Sequence, residues 1–224
     1  PLYSPRAGKK VFDTNGLASG FCLQEALSHA LAEVIERHAR RIVEIEVSNP
    51  GHLPEGRECR FLNLESVPES GRRLVNAMAE AGWFVRVMDA SFVVGVPVFV
   101  ARMYQYEPAS GLTRNYCEGS GSHPNAEVAL TRALFECIQT RVGNASGGRE
   151  DLDARSRSLG RHERSRPLSN GDSLWVKEWV PESNFSGVPS FVSRDIADDI
   201  RFMLTQLHAR EFDSPVYVDL SSPE

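Results

Sequence analysis

Lysine is almost missing from this chain: of 25 basic residues only Lys9, Lys10 and Lys177 are lysines, and the rest are arginines. Arginine suits bidentate phosphate and carboxylate recognition, although genome composition produces the same bias. A basic surplus is missing too. The net charge of −5 speaks against a general nucleic-acid binder. No apolar run reaches the roughly 20 residues of a membrane helix, and the N-terminus has no secretory pattern, so no membrane partner is expected. Cys22, Cys59, Cys117 and Cys137 show neither CxxC nor CxxH spacing, which excludes an ordinary structural zinc site and fits free thiols in a reducing, cytoplasmic compartment. The first residue is Pro1, so the sequence is expected to be a processed or trimmed chain, or part of a longer one.

What is present is enough apolar residue, 41% of 224, for a substantial core. Apolar positions at spacings of three and four predict a helix from Leu23 to about Val43. A second helix is predicted over Pro68–Ala81, stopped by Gly82. Two strands follow, Trp83–Met88 and Phe92–Tyr104, the latter turning or bulging around Gly95 and Pro97. Tyr106–Asn125 reads as a loop and Asn125–Val142 as a third helix. Residues 143–172, rich in Gly, Ser and Arg, read as a long mobile loop. A strand at Leu174–Val180, a helix at Val192–Ala209 and a strand at Pro215–Leu220 complete the reading. The order lacks a strict βαβ rhythm and predicts α+β layers, with mixed or antiparallel sheets packed against long helices.

Two helices carry polar stripes. On the first, Glu25, His29, Glu33 and Glu36 share a narrow arc at about 100° per residue, flanked by Arg37 and Arg40. A solvated charged face accounts for such a stripe, with His29 a hydrogen-bonded neighbour. Yet Glu33 and Glu36 are like charges one turn apart, which costs a few tenths of a kcal/mol. Clustered carboxylates are also what Mg2+ takes together with substrate phosphates. The preceding Asn15-Gly-Leu-Ala-Ser-Gly20 loop offers backbone amides near a helix start, a setting suited to phosphate. On the third helix Arg132, Glu136 and Gln139 share a face, and Val128, Phe135, Ile138 and Val142 form an apolar one. This is either an i,i+4 pair on a surface helix, worth about 0.3–0.5 kcal/mol, or a phosphate-contacting arginine beside metal- or nucleotide-holding groups.

Taken together these segments resemble the YcaO family. Asn15-Gly-Leu-Ala-Ser-Gly, Glu25-Ala-Leu and Glu33-Val-Ile-Glu-Arg37 are similar to one shared motif, and Gly121 through Arg141 to a second. Gly148-Arg-Glu-Asp-Leu152 and Val218-Asp-Leu-Ser221 resemble later family segments. The resemblance implies a YcaO-like layered domain over 1–224 that binds ATP and Mg2+. Glu33, Glu36 and Glu136 would be metal ligands; Asn15, Gly20, Glu25, Arg37, Arg132 and Gln139 would contact nucleotide. The implied chemistry is O-phosphorylation of a peptide backbone amide. Thioamide formation with a TfuA-like partner, azoline formation by a cyclodehydratase, and a non-catalytic accessory role are the three readings it leaves open. A peptide or protein substrate and a homodimer are the expected associations. The chain departs from the family in having Phe21 where Asn is common. An earlier pair of family glutamates and the region after Asp219 are expected to be missing.

Overall fold

The computed structural model describes residues 2–3, 10–11, 14–48, 59–107, 112–145 and 182–221. Strands β1 (Leu2–Tyr3) and β2 (Lys10–Val11) pair with each other as a short antiparallel ribbon. Helix α1 spans Leu23–Ser48. Its start is fixed locally, because the Phe21 N–H donates to Glu25 Oε2 at 2.8 Å, placing a carboxylate at the positive end of the helix dipole. Gly20 has to be small there, since a Cβ would lie 2.7 Å from Ala26 N. Leu31, Ala32, Ile35, Ala39 and Val43 form the buried stripe of α1.

Strand β3 (Arg60–Leu62) leads through a 3-10 turn at Leu64–Ser66 into α2 (Glu69–Glu80). Helix α2 ends as expected: Gly82 has φ +80°, a conformation that suits glycine after a helix. Strands β4 (Phe84–Asp89), β5 (Val98–Glu107) and β6 (Leu112–Ser122) follow. Then come α3 (Ala126–Ala145), the short β7 (Glu182–Ser183) and α4 (Ile196–His208). The sheet order is β6-β5-β4-β3-β7. All of its pairings are antiparallel except β3 with β7, which is parallel.

The layering follows from alternation along β5. Val98 and Val100 join Ile35, Phe61, Met88 and Met203 in a cluster under α1 and α4, whereas Phe99, Ala101 and Met103 join Leu130, Leu134 and Val87 under α2 and α3. The expected layers of mixed sheet and long helices are therefore present. Among the described residues no helix is long and apolar enough to cross a membrane.

Several boundaries differ from the sequence reading. The segment read as a loop at Tyr106–Asn125 contains β6, paired with β5 from Val98↔Ser122 to Glu107↔Leu112. Its polar, glycine-bearing sequence lacks strand propensity; its pairing and the helix packed over it make it a strand. The expected strand Phe92–Tyr104 begins only at Val98, after a turn in which Gly95 has φ +82°. Pro215–Leu220 forms no strand, and Val216 and Val218 are exposed; an alternating pattern makes a strand only against a partner edge. On α3, Phe135 and Val142 are exposed. The core side of that helix is Ala126, Ala129, Leu130, Ala133, Leu134 and Cys137; of the apolar face drawn through Val128, Phe135, Ile138 and Val142, Ile138 packs against that core while Val128 and Phe135 line a cavity. Residues 143–145 belong to α3. The rest of the expected 143–172 loop and the expected Leu174–Val180 strand lie outside the described residues.

Candidate functional site

Strand β6 is an outer strand of the sheet, and α3 runs back along it at very short range. Gly119 and Gly121 make this approach geometrically feasible. A Cβ on Gly119 would lie 2.2 Å from Cys137 N and 2.5 Å from Ala133 O, and one on Gly121 would lie 2.3 Å from Ala129 O. Side chains four apart on α3 then meet backbone groups two apart on β6. Arg132 Nη1 donates to Ser122 O at 3.1 Å, the Ser120 N–H donates to Glu136 Oε2 at 2.8 Å, and Thr140 Oγ1 donates to Glu118 O at 3.1 Å. The match is metrical: four helical residues rise about 6 Å and two strand residues about 6.7 Å. This ladder covers backbone groups of the sheet edge.

From the opposite face α1 brings Glu36 to the same edge. Ser120 Oγ donates to Glu36 Oε1 at 2.7 Å and stands 3.4 Å from Glu136 Oε2. Two carboxylates from helices on opposite sides of the sheet thus meet at one serine. Burial pushes the Glu36 carboxyl above its ordinary value, and the charges of Glu136 and Glu33 push the same way against the Ser120 hydrogen bond and Arg40. Glu33, one turn away, accepts from the Gly16 N–H at 3.0 Å and pairs with Arg37 at 2.8 Å. Gly16 presents that amide from a left-handed conformation, φ +77°, for which glycine is the favoured residue.

Glu36, Ser120, Arg132, Glu136 and Gln139 line a cavity of about 520 Å³, together with Ser70, Asn125, Glu127, Val128, Thr131 and Phe135. Of the nine residues singled out from the sequence, four line it: Glu36, Arg132, Glu136 and Gln139. Glu33 adjoins it through Glu36. Asn15, Gly20, Glu25 and Arg37 are outside it: Asn15 and Gly20 are exposed on the preceding loop, Glu25 caps the α1 start, and Arg37 is bound to Glu33. Burial lowers the Arg132 guanidinium below its ordinary value, while Glu36 and Asp199 hold it up.

Among the described residues no three His, Cys, Asp or Glu side chains form a ready metal cage. The donor set nevertheless suits Mg2+. That cation takes oxygen ligands, often one or two carboxylates completed by substrate phosphates and water. Burial and the neighbouring Glu136 and Glu33 charges raise the Glu36 carboxyl, which favours a cation beside it, and Arg132 offers further N–H donors to an anion.

Sequence reasoning missed several residues here. Ser120 and Glu118 lie on a segment read as a loop, although their two-residue spacing is the strand period. Glu118 is held by Arg102 at 2.6 Å, Arg40 at 2.5 Å and Tyr116 OH at 2.5 Å. Despite burial, these partners keep its carboxyl below the usual range. His123 and Asp199 face each other within the reach of the Arg132 charge. The His123 Nδ1 accepts from the Asn125 N–H at 3.0 Å, which leaves Nε2 to carry the proton toward Asp199 Oδ2 at 3.7 Å. Burial and Arg132 lower the His123 pKa to about 4 while burial raises Asp199, so the contact is polar and not an ion pair.

A folded-state value depressed from 6.5 to about 4 gives stability that is whole above 6.5 and lost as pH falls toward 4. His123→Asn is expected to flatten the melting temperature over that window. NMR titration of the wild-type imidazole should show no protonation until pH approaches 4; a normal histidine titration would contradict the assignment.

Comparison with known proteins gives a consistent picture. Residues 2–224 match the sequence model of the family described as YcaO cyclodehydratase, ATP- and Mg2+-binding. An uncharacterised protein of Methanothermobacter thermautotrophicus is 30% identical over 99% of this chain and 55% of its own length. A protein from the tfuA 3′ region of Rhizobium leguminosarum bv. trifolii is 29% identical over 63% of this chain and 33% of its own. The chain thus spans about half the length of the first relative and about a third of the second. Two solved structures share the fold. The heterocyclase TruD has a TM-score of 0.64 at 22% identity, covering 89% of this chain and 25% of that one. YcaO from Methanopyrus kandleri, bound with AMPPCP and Mg2+, has a TM-score of 0.60 at 18% identity over 88% and 47%. With the family match running nearly end to end, the chain belongs to the YcaO family, whose members bind ATP and Mg2+.

Proposed function

We propose that the protein uses ATP to phosphorylate a backbone amide oxygen of a peptide, so that sulfide can replace that oxygen. The carrying observation is the convergence of Glu36 and Glu136 at Ser120, beside Arg132, in one cavity. The amide oxygen attacks the γ-phosphorus, the bond to the β–γ bridging oxygen breaks, and ADP departs as the amide nitrogen loses its proton. Sulfide then adds to the activated carbon, the C–O bond breaks, and phosphate leaves with the former amide oxygen. Glu36 and Glu136 would hold Mg2+, with Glu33 completing the acidic group. Mg2+ neutralises charge on the transferring phosphoryl group when bound. Arg132 grips a phosphate oxygen, and Gln139 meets the nucleotide further along α3. Asn15, Gly20, Glu25 and Arg37 would reach the nucleotide from the loop side. The setting is cytoplasmic.

The relative from a tfuA region supports thioamide formation with a TfuA-like partner. The family's description as cyclodehydratase favours a second reading, in which a Cys, Ser or Thr side chain of the peptide attacks instead and gives an azoline.

The test is a peptide whose backbone amides carry a heavy oxygen isotope, incubated with the full-length protein, ATP, Mg2+, sulfide and the partner. Labelled phosphate and a peptide with sulfur in place of oxygen are expected. Labelled phosphate with loss of water, and no need for sulfide, would establish the azoline reading. Unlabelled phosphate would remove both.

A further inference from the structure

Ser120 is only 4% exposed and sits where helices from both faces of the sheet overhang β6. Its backbone N–H holds Glu136 at 2.8 Å, and its hydroxyl holds Glu36 at 2.7 Å with Glu136 Oε2 at 3.4 Å. A hydroxyl carries one proton, and the shorter contact, to Glu36, takes it. Strand pairing explains none of this. Any residue in this position would offer the backbone N–H to Glu136, whereas the hydroxyl's partners among the described residues are the two carboxylates alone.

We propose that Ser120 is the positioning residue that sets the separation of Glu36 and Glu136 for the cation of the nucleotide site. The inference rests on the Mg2+–ATP reading above. Residues that orient metal-ligating groups from outside the coordination shell typically change metal affinity by about 10–100-fold when removed. Without the hydroxyl, Glu36 loses its donor and turns away from a like charge. The pair then has to be brought together at the cation's expense.

The experiment titrates ATP calorimetrically into the full-length protein over a series of Mg2+ concentrations, for wild type, Ser120→Ala and Ser120→Thr, with melting curves in Mg2+-free buffer. Ser120→Ala is expected to raise the Mg2+ concentration for half-maximal ATP affinity by about tenfold or more. ATP affinity at saturating Mg2+ and the Mg2+-free melt should change little. Threonine keeps the hydroxyl and should restore the wild-type Mg2+ midpoint. A merely structural serine would lower the melt and the ATP affinity together and leave that midpoint in place, which overturns the proposal. An alanine variant equal to wild type also overturns it, and leaves the nucleotide reading standing. Wild type that binds ATP without any Mg2+ dependence would remove the nucleotide reading, and this inference with it.

Discussion

Glu36→Gln should make the Mg2+-free protein more stable while weakening its Mg2+-dependent ATP binding by at least about tenfold. The stability half follows from the Glu36 environment. Burial, Glu136 and Glu33 all raise its carboxyl above the ordinary 4.5. A raised folded-state value gives stability that is fully present below 4.5 and lost as pH climbs through the folded value. At neutral pH the ionised Glu36 is therefore a net cost to the empty protein. Glutamine keeps an oxygen for the Ser120 hydroxyl and turns an N–H2 group toward Glu136. The gain should be on the order of 1 kcal/mol, or about 2–4 °C for a domain of this size. It should shrink as pH falls toward 4.5. Melting curves of both proteins from acid to neutral pH, without Mg2+, provide the check. A variant less stable than wild type at neutral pH would mean that Glu36 is an ordinary paired surface carboxylate.

Gly119→Ala should be strongly destabilising. The added Cβ would lie 2.2 Å from Cys137 N and 2.5 Å from Ala133 O. Both are backbone atoms of α3 and cannot swing aside, so the whole helix has to move. Overpacking of this kind costs about 3 kcal/mol or more, roughly 10 °C in melting temperature for a domain this size. Displacing α3 also carries Arg132 and Glu136 off the β6 edge, so ATP binding should fall with stability. Gly143→Ala is the control on the same helix. A Cβ there meets nothing within 4 Å, and alanine is favoured over glycine in a helix by up to about 1 kcal/mol. Equal effects at positions 119 and 143 would mean that α3 does not lie against the strand.

The same contact explains which parts of the fold were legible in the sequence. Helical periodicity displayed the polar stripes of α1 and α3, and Gly82 marked the end of α2, because these are local properties of the chain. The element that joins the stripes was not legible. Strand β6 reads as a loop because Gly119, Ser120, Gly121 and Ser122 have no strand preference; they are chosen for the close approach of α3 and for the carboxylates at the edge. Ser120, Glu118, His123 and Asp199 were missed for the same reason, since each acquires its role only from a partner distant in sequence. Phe135 and Val142 misled in the opposite direction. They are apolar at helical spacing, yet they lie on the outer side of α3, with Phe135 on the cavity wall. Pro215–Leu220 carries a strand pattern, but a pattern specifies a strand only where another edge receives it.

The central claim is that Glu36 of α1 and Glu136 of α3 act on one cation beside a nucleotide. A double-mutant cycle measures it directly. ATP is titrated calorimetrically, with and without Mg2+, into full-length wild type, Glu36→Gln, Glu136→Gln and the double variant. Mg2+ is expected to tighten binding to wild type, either substitution to remove most of that gain, and the second then to cost almost nothing more. ATP affinity indifferent to Mg2+ in wild type, or two losses that add independently, would contradict it.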